Sequence, residues 1–170
     1  MARSTRSSRR YGDGLFSAVS AGVFFVLVGA TFVYTFAVLD VNLFSEIVAF
    51  AQGFGLVSVP NTPVVRFPAP RFPNAHLPIY MAAGQFSLIW GIYQIAILAV
   101  RFVVRSPVTK KAETASNVIY WFGASYLLSL FLTETVTQSD WFEFWAAILI
   151  LIGVSMVIRA IILAVARLLQ

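Results

Sequence analysis

Residues 75–104 read AHLPIYMAAGQFSLIWGIYQIAILAVRFVV. About two dozen of these residues form a mostly apolar run, the length an α-helix needs to cross roughly 30 Å of hydrocarbon. Pro78 stands at its start, where proline's missing N–H would be unpaired anyway. Arg101, Arg105, Lys110 and Lys111 close its far side. The stretch predicts a membrane-spanning helix over 79–104. It also divides the chain, with one more long apolar run upstream and two downstream.

The composition agrees. Of 170 residues, 59% are hydrophobic and only 11% are charged, and the mean hydropathy is +0.84. Soluble domains average about 25% charged residues. One polytopic membrane domain is therefore expected. There is no cysteine, which excludes disulfides, thiolate metal sites and cysteine nucleophiles. The single His76 excludes a two-histidine metal cage and bis-histidine haem. No glycine-rich phosphate loop, H-E-x-x-H or G-x-S-x-G occurs. No cofactor, no metal and no enzymatic activity are expected.

Residues 1–14, MARSTRSSRRYGDG, interleave four arginines with serines. This is read as a basic cytoplasmic tail lying against anionic headgroups, not as a nucleic-acid arm. The uncharged run 15–39 predicts the first span. It exceeds the apolar core of a cleaved signal peptide, which is about 7–15 residues long. Ala18, Gly22 and Gly29 recur along one face of it, and small residues at such spacing admit a second helix closely.

The segment 40–78 is expected to be an extracytoplasmic loop. Asn42 can cap a short helix that carries Leu43, Ile47, Phe50 and Phe54 at helical spacing. That helix is read as interfacial, with a re-entrant segment as the alternative because Gly53 and Gly55 permit a sharp turn. Residues 57–78 hold six of the seven prolines and repeat Arg66-Phe67-Pro68 as Arg71-Phe72-Pro73. Proline excludes helix and central strand, so an extended, polyproline-like strap is predicted. Arg66, Phe67, Arg71 and Phe72 are its candidate partner contacts.

The 79–104 span carries Gln85 and Gln94, nine residues apart and nearly opposite on a helical wheel. Amides in hydrocarbon need partners, so both are expected to face other helices. Pro107 breaks the following turn. A third span is predicted over 115–135, with Ser125, Ser129 and Thr133 forming a small polar stripe and Glu134 at its end. Asp140 is expected to cap the last helix, and Trp141, Phe142, Phe144 and Trp145 to anchor it at the interface. The fourth span covers 144–168, with Arg159 able to snorkel toward the headgroups.

Four spans place both termini on one side. That side gathers ten of the twelve basic residues against two acids, and the positive-inside rule makes it cytoplasmic. The fold expected is all-α, a four-helix bundle with both termini in and the proline strap outside, at the cell membrane. The function expected is a non-catalytic accessory or structural subunit that packs on other membrane subunits or on copies of itself. The alternative is an oligomeric small channel or transporter using Gln85, Gln94, the Ser125–Thr133 stripe and Glu134. A lipid enzyme relying on Glu134 is the weakest reading.

Overall fold

A computed structural model describes residues 4–60 and 62–169. Five α-helices and one β-hairpin follow in order: α1 (Ser4–Leu39), α2 (Leu43–Gln52), β1 (Phe54–Val59), β2 (Thr62–Pro70), a 3₁₀ turn (Pro73–His76), α3 (Leu77–Val103), α4 (Val108–Phe131) and α5 (Gln138–Leu168). Of the basic tail at 1–14, residues 1–3 lie outside the described residues, and from Ser4 the backbone belongs to α1.

Three helices are long and apolar enough to cross a membrane: Ala18–Leu39, Pro73–Val103 and Gln138–Leu168. The 22 residues from Ala18 rise about 33 Å at 1.5 Å each, matching the hydrocarbon thickness. These helices form because long apolar runs hold no proline beyond their first turns and satisfy their backbone groups internally, as hydrocarbon demands. α4 is long enough but more polar. It carries Lys110, Lys111 and Glu113 at its start and hydroxyl and amide side chains along its length.

Local signals set the helix ends. The Asn42 side chain accepts from the backbone N–H groups of Phe44 and Ser45 and starts α2, as its sequence position predicts. Pro78 sits in the first turn of α3. At α5 the cap differs from expectation. Thr137 is the N-cap and Asp140 stands three residues in, and the two close a reciprocal capping box. Asp140 is thus the acidic partner of the cap and not the cap itself, because a threonine precedes it at the spacing that such a box requires. α3 ends with Arg105 at φ 53°, while Ser106 N–H bonds back to the Arg101 carbonyl. The left-handed residue is normally glycine in this closure.

The expected polyproline-like strap is a two-stranded antiparallel hairpin. Phe54 pairs with Pro70 and the ladder continues to Ser58 opposite Arg66, with an irregularity before Val59 opposite Thr62. The all-α expectation therefore fails at this segment. The proline argument excluded a central strand, but a two-stranded ribbon has only edges, where proline is tolerated. Pro68 and Pro70 also deny the ladder donors a third strand would use, which blunts the ribbon.

α3 lies along α4, α4 along α5, and α1 mainly against α3. Among the described residues the long helices therefore form an open row, α1–α3–α4–α5, and not the closed four-helix bundle expected from their number. Two aromatic clusters hold it together. Near the middle, Phe24 of α1 meets Phe86 and Trp90 of α3 edge-on at 5.5 Å, and Trp121 of α4 meets both at 6.1–6.4 Å. Ser20 and Tyr93 add a hydroxyl pair at 3.1 Å between α1 and α3. At the hairpin end, the buried Trp141 of α5 packs on Phe50 of α2, Phe54 of β1 and Tyr80 of α3. Aromatic pairs of this kind are worth about 0.5–1.5 kcal/mol each beyond their buried area. The Trp141 cluster clamps the hairpin and α2 onto the helix ends.

Candidate functional site

A cleft with several polar groups in its lining lies between α3 and α4. Its volume is about 250 Å³, and its lining is Tyr80, Met81, Gly84, Gln85, Leu88, Ser125, Leu128, Ser129 and Leu132. The antiparallel pair brings Gln85 of α3 level with Ser125 and Ser129 of α4, so three residues singled out in the sequence meet here. A Cβ added at Gly84 would make an ordinary van der Waals contact with the Cβ of Leu128, at 3.8 Å. The Ser125 hydroxyl donates to the Gly84 carbonyl at 2.9 Å, across the helix interface. The Ser129 hydroxyl donates within its own helix, to the Tyr126 carbonyl at 2.8 Å. Tyr80 is only 4% exposed, and its hydroxyl has no partner among the described residues. The half-buried Gln85 amide makes no hydrogen bond among those residues either.

The other expected residues are placed elsewhere. Ala18, Gly22 and Gly29 are exposed on α1, and a Cβ added at either glycine would meet nothing within 4 Å. Among the described residues nothing packs against Gly22 or Gly29. Gln94 is half-buried on α3 and away from the cleft. Glu134, read as an intramembrane group, lies exposed in the turn after α4, because that helix stops at Phe131 and not at 135. Thr133 has left the stripe for the same reason, and its hydroxyl lies 3.3 Å from that of Thr135. Arg159 is exposed on α5.

In the hairpin, Arg66, Phe67, Arg71 and Phe72 are all exposed, with Phe72 at 71%. Arg71 is nevertheless held. Its N–H donates to the Gly53 carbonyl, Gln138 donates to its carbonyl at 3.2 Å, and its guanidinium lies across the bare backbone of Gly55. The acidic residues at this end are engaged singly: Asp140 with Thr137, and Glu143 with Ser139. Among the described residues no group of three histidine, aspartate or glutamate side chains comes together.

Sequence reasoning missed two features. Ser116 is buried and donates to the Ser155 carbonyl at 2.9 Å, fixing α4 on α5. His76 is buried against Phe50, with its Nδ1 unpaired among the described residues. Their signal was faint, since a lone serine or histidine does not announce a tertiary partner. At the opposite end, Arg101 donates to the Lys110 carbonyl, Lys110 pairs with Glu113 at 3.1 Å, and Lys111 sits over the Phe102 ring. This compact basic turn is suited to an anionic headgroup layer.

No family model matches the chain, and neither curated proteins nor solved structures yield a match.

Proposed function

We propose that the protein is a non-catalytic accessory or structural subunit of a larger membrane complex. The observation that carries this reading is the empty glycine face of α1. Gly22 and Gly29 have open space where a side chain would be, and the whole row of long helices is open. Small residues at helical spacing are the usual means by which a second transmembrane helix approaches, and among the described residues no helix of the same chain meets Gly22 or Gly29. The exposed Phe67 of the hairpin and Phe72 just after it give the partner a second surface.

In this reading the chain crosses four times, through α1, α3, α4 and α5. α4 is joined to its two apolar neighbours by short turns and runs beside both, so it crosses with them, and its flanking helices shelter its polar groups. The distribution of basic residues supports cytoplasmic termini in the cell membrane, with α2 lying along the outer interface and the hairpin above it.

Replacement of Gly22 or Gly29 by Leu tests the reading. Either variant is expected to run as a lighter species on a native gel after mild extraction, while wild type stays in a heavy band. An unchanged heavy band for both variants removes the glycine face from the interface. The α3–α4 cleft favours one second reading, a pore formed between copies. Glu134→Gln then changes ion flux through liposomes, and flux equal to that of empty vesicles eliminates it.

A further inference from the structure

The β-ribbon has two edges, and the sequence treats them differently. In the ladder Phe54 lies opposite Pro70 and Leu56 opposite Pro68. Proline has no N–H to exchange, so these are non-hydrogen-bonded positions. The Arg71 N–H, bonded to the Gly53 carbonyl at 3.0 Å, fixes the same phase. Ser58, opposite Arg66, shares it. At such positions the backbone N–H and C=O groups point out of the ribbon. On the β2 side the outward positions include Pro68 and Pro70, which offer no donor. On the β1 side they belong to Phe54, Leu56 and Ser58, each with an N–H and a C=O. The sheet has only these two strands, and no backbone group among the described residues bonds to that outer edge. β1, FGLVSV, carries none of the devices that blunt an edge, neither proline nor charge.

The spacing says what fits there. Phe54, Leu56 and Ser58 are symmetric about Leu56, so an identical strand laid antiparallel puts every outward donor opposite an outward acceptor. Leu56 then faces its own counterpart, and Phe54 faces the counterpart of Ser58, all as hydrogen-bonded pairs. Leu56 is 71% exposed in the single chain and gains an apolar cross-strand neighbour. The two-fold axis of such a pair is perpendicular to the sheet. Along β1 Phe54, Leu56 and Ser58 are exposed, while Gly55, Val57 and Val59 are half-buried. Val57 and the fully buried Ala69 pack into the cluster of Tyr80, Leu132, Val136 and Trp141, so the inner face of the sheet is turned to the helix ends. The axis therefore runs along the helices, and both copies cross the membrane in the same sense. The pairing also closes. Its four-stranded sheet ends on a proline-bearing β2 at either side, which leaves no open edge for a third copy.

We propose that two copies of this chain join edge to edge through β1, with Leu56 opposite its counterpart, into one four-stranded sheet over the helix ends. A lone two-stranded ribbon is marginal in water, and the joined sheet is not. The pairing needs no other subunit and excludes none, so it stands or falls independently of the glycine face of α1.

The chain has no cysteine, so an introduced one reports on its own position. In native membranes Leu56→Cys is expected to form a disulfide with a second copy on mild oxidation. Hydrogen-bonded antiparallel partners have Cα atoms about 5.5 Å apart, within disulfide reach. Phe54→Cys lies about 14 Å along the strand from its counterpart in this register, at roughly 3.4 Å per residue, and stays uncrosslinked. Native mass spectrometry of the purified full-length protein in mild detergent is expected to give twice the 18.8 kDa chain mass. Leu56→Pro removes only an outward donor, because Leu56 already faces Pro68, and is expected to give the single-chain mass with unchanged far- and near-ultraviolet dichroism. Gly22→Leu keeps the double mass. The proposal is overturned by a single-chain mass for wild type, or by a double mass that survives Leu56→Pro. It is equally overturned if Leu56→Cys fails to crosslink, or crosslinks no better than Phe54→Cys. Capture of a different protein by Leu56→Cys also overturns it, since the edge would then belong to a foreign strand. If Leu56→Pro loses its dichroism, the two cysteine variants decide alone.

Discussion

Alanine substitution at three glycines separates the packed part of the row from its free face. In a helix interior, glycine is less stable than alanine by about 0.5–1 kcal/mol, because it loses more backbone freedom on folding. At Gly22 and Gly29 an added Cβ meets nothing within 4 Å, so the full gain is available. At Gly91 the same Cβ would stand 3.0 Å from both Cδ2 and Cε2 of Phe122. That ring is held between α3 and α4 and must be displaced, at an overpacking cost of about 1–3 kcal/mol. The net prediction is a gain of about 0.5–1 kcal/mol for Gly22→Ala or Gly29→Ala and a loss of roughly 1 kcal/mol for Gly91→Ala. The assay is reversible unfolding of the purified chain in mixed micelles, followed by helical circular dichroism. If Gly22→Ala destabilises the isolated chain as much as Gly91→Ala does, α1 is packed within the chain and the reasoning is wrong.

Three further outcomes follow from the packing. Trp141→Ala empties the cluster that joins α2, the hairpin, α3 and α5, and is expected to cost about 3–5 kcal/mol, seen as lost near-ultraviolet dichroism and early proteolysis at the hairpin. Thr137→Ala removes the capping box of α5 and lowers stability by about 1 kcal/mol in the same unfolding assay. Arg105→Gly relieves a left-handed backbone at φ 53° and stabilises the α3–α4 turn by about 1 kcal/mol, read as slower hydrogen exchange at Ser106.

Much of this architecture is legible in the sequence because hydrocarbon is a demanding solvent. Long apolar runs at 15–39, 79–104 and 144–168 coincide largely with helices long and apolar enough to span, with Pro78 in the first turn of α3 and Asn42 capping α2. The hairpin was not legible. Its prolines read as polyproline because the pairing partner, Phe54–Val59, looks by itself like the tail of an amphipathic helix. The open row was also hidden. Helix count does not set helix order, and the Phe24–Trp90–Trp121 contacts join residues far apart in the chain. Of the candidate site, Gln85 and Ser125 were visible as polar interruptions, and the antiparallel register that unites them depends on the turn length around Pro107. Tyr80 carries no such signal: it packs on Trp141, about sixty residues onward in sequence, so no local pattern announces its burial.

If the chain works as the proposed subunit, its α1 face meets another protein. The most direct test is mild-detergent extraction from native membranes, followed by mass spectrometry of the intact species on a native gel. A species far heavier than the 18.8 kDa chain and containing other proteins is expected. A species made only of copies of this chain would contradict the subunit reading and would turn attention to flux through the oligomer.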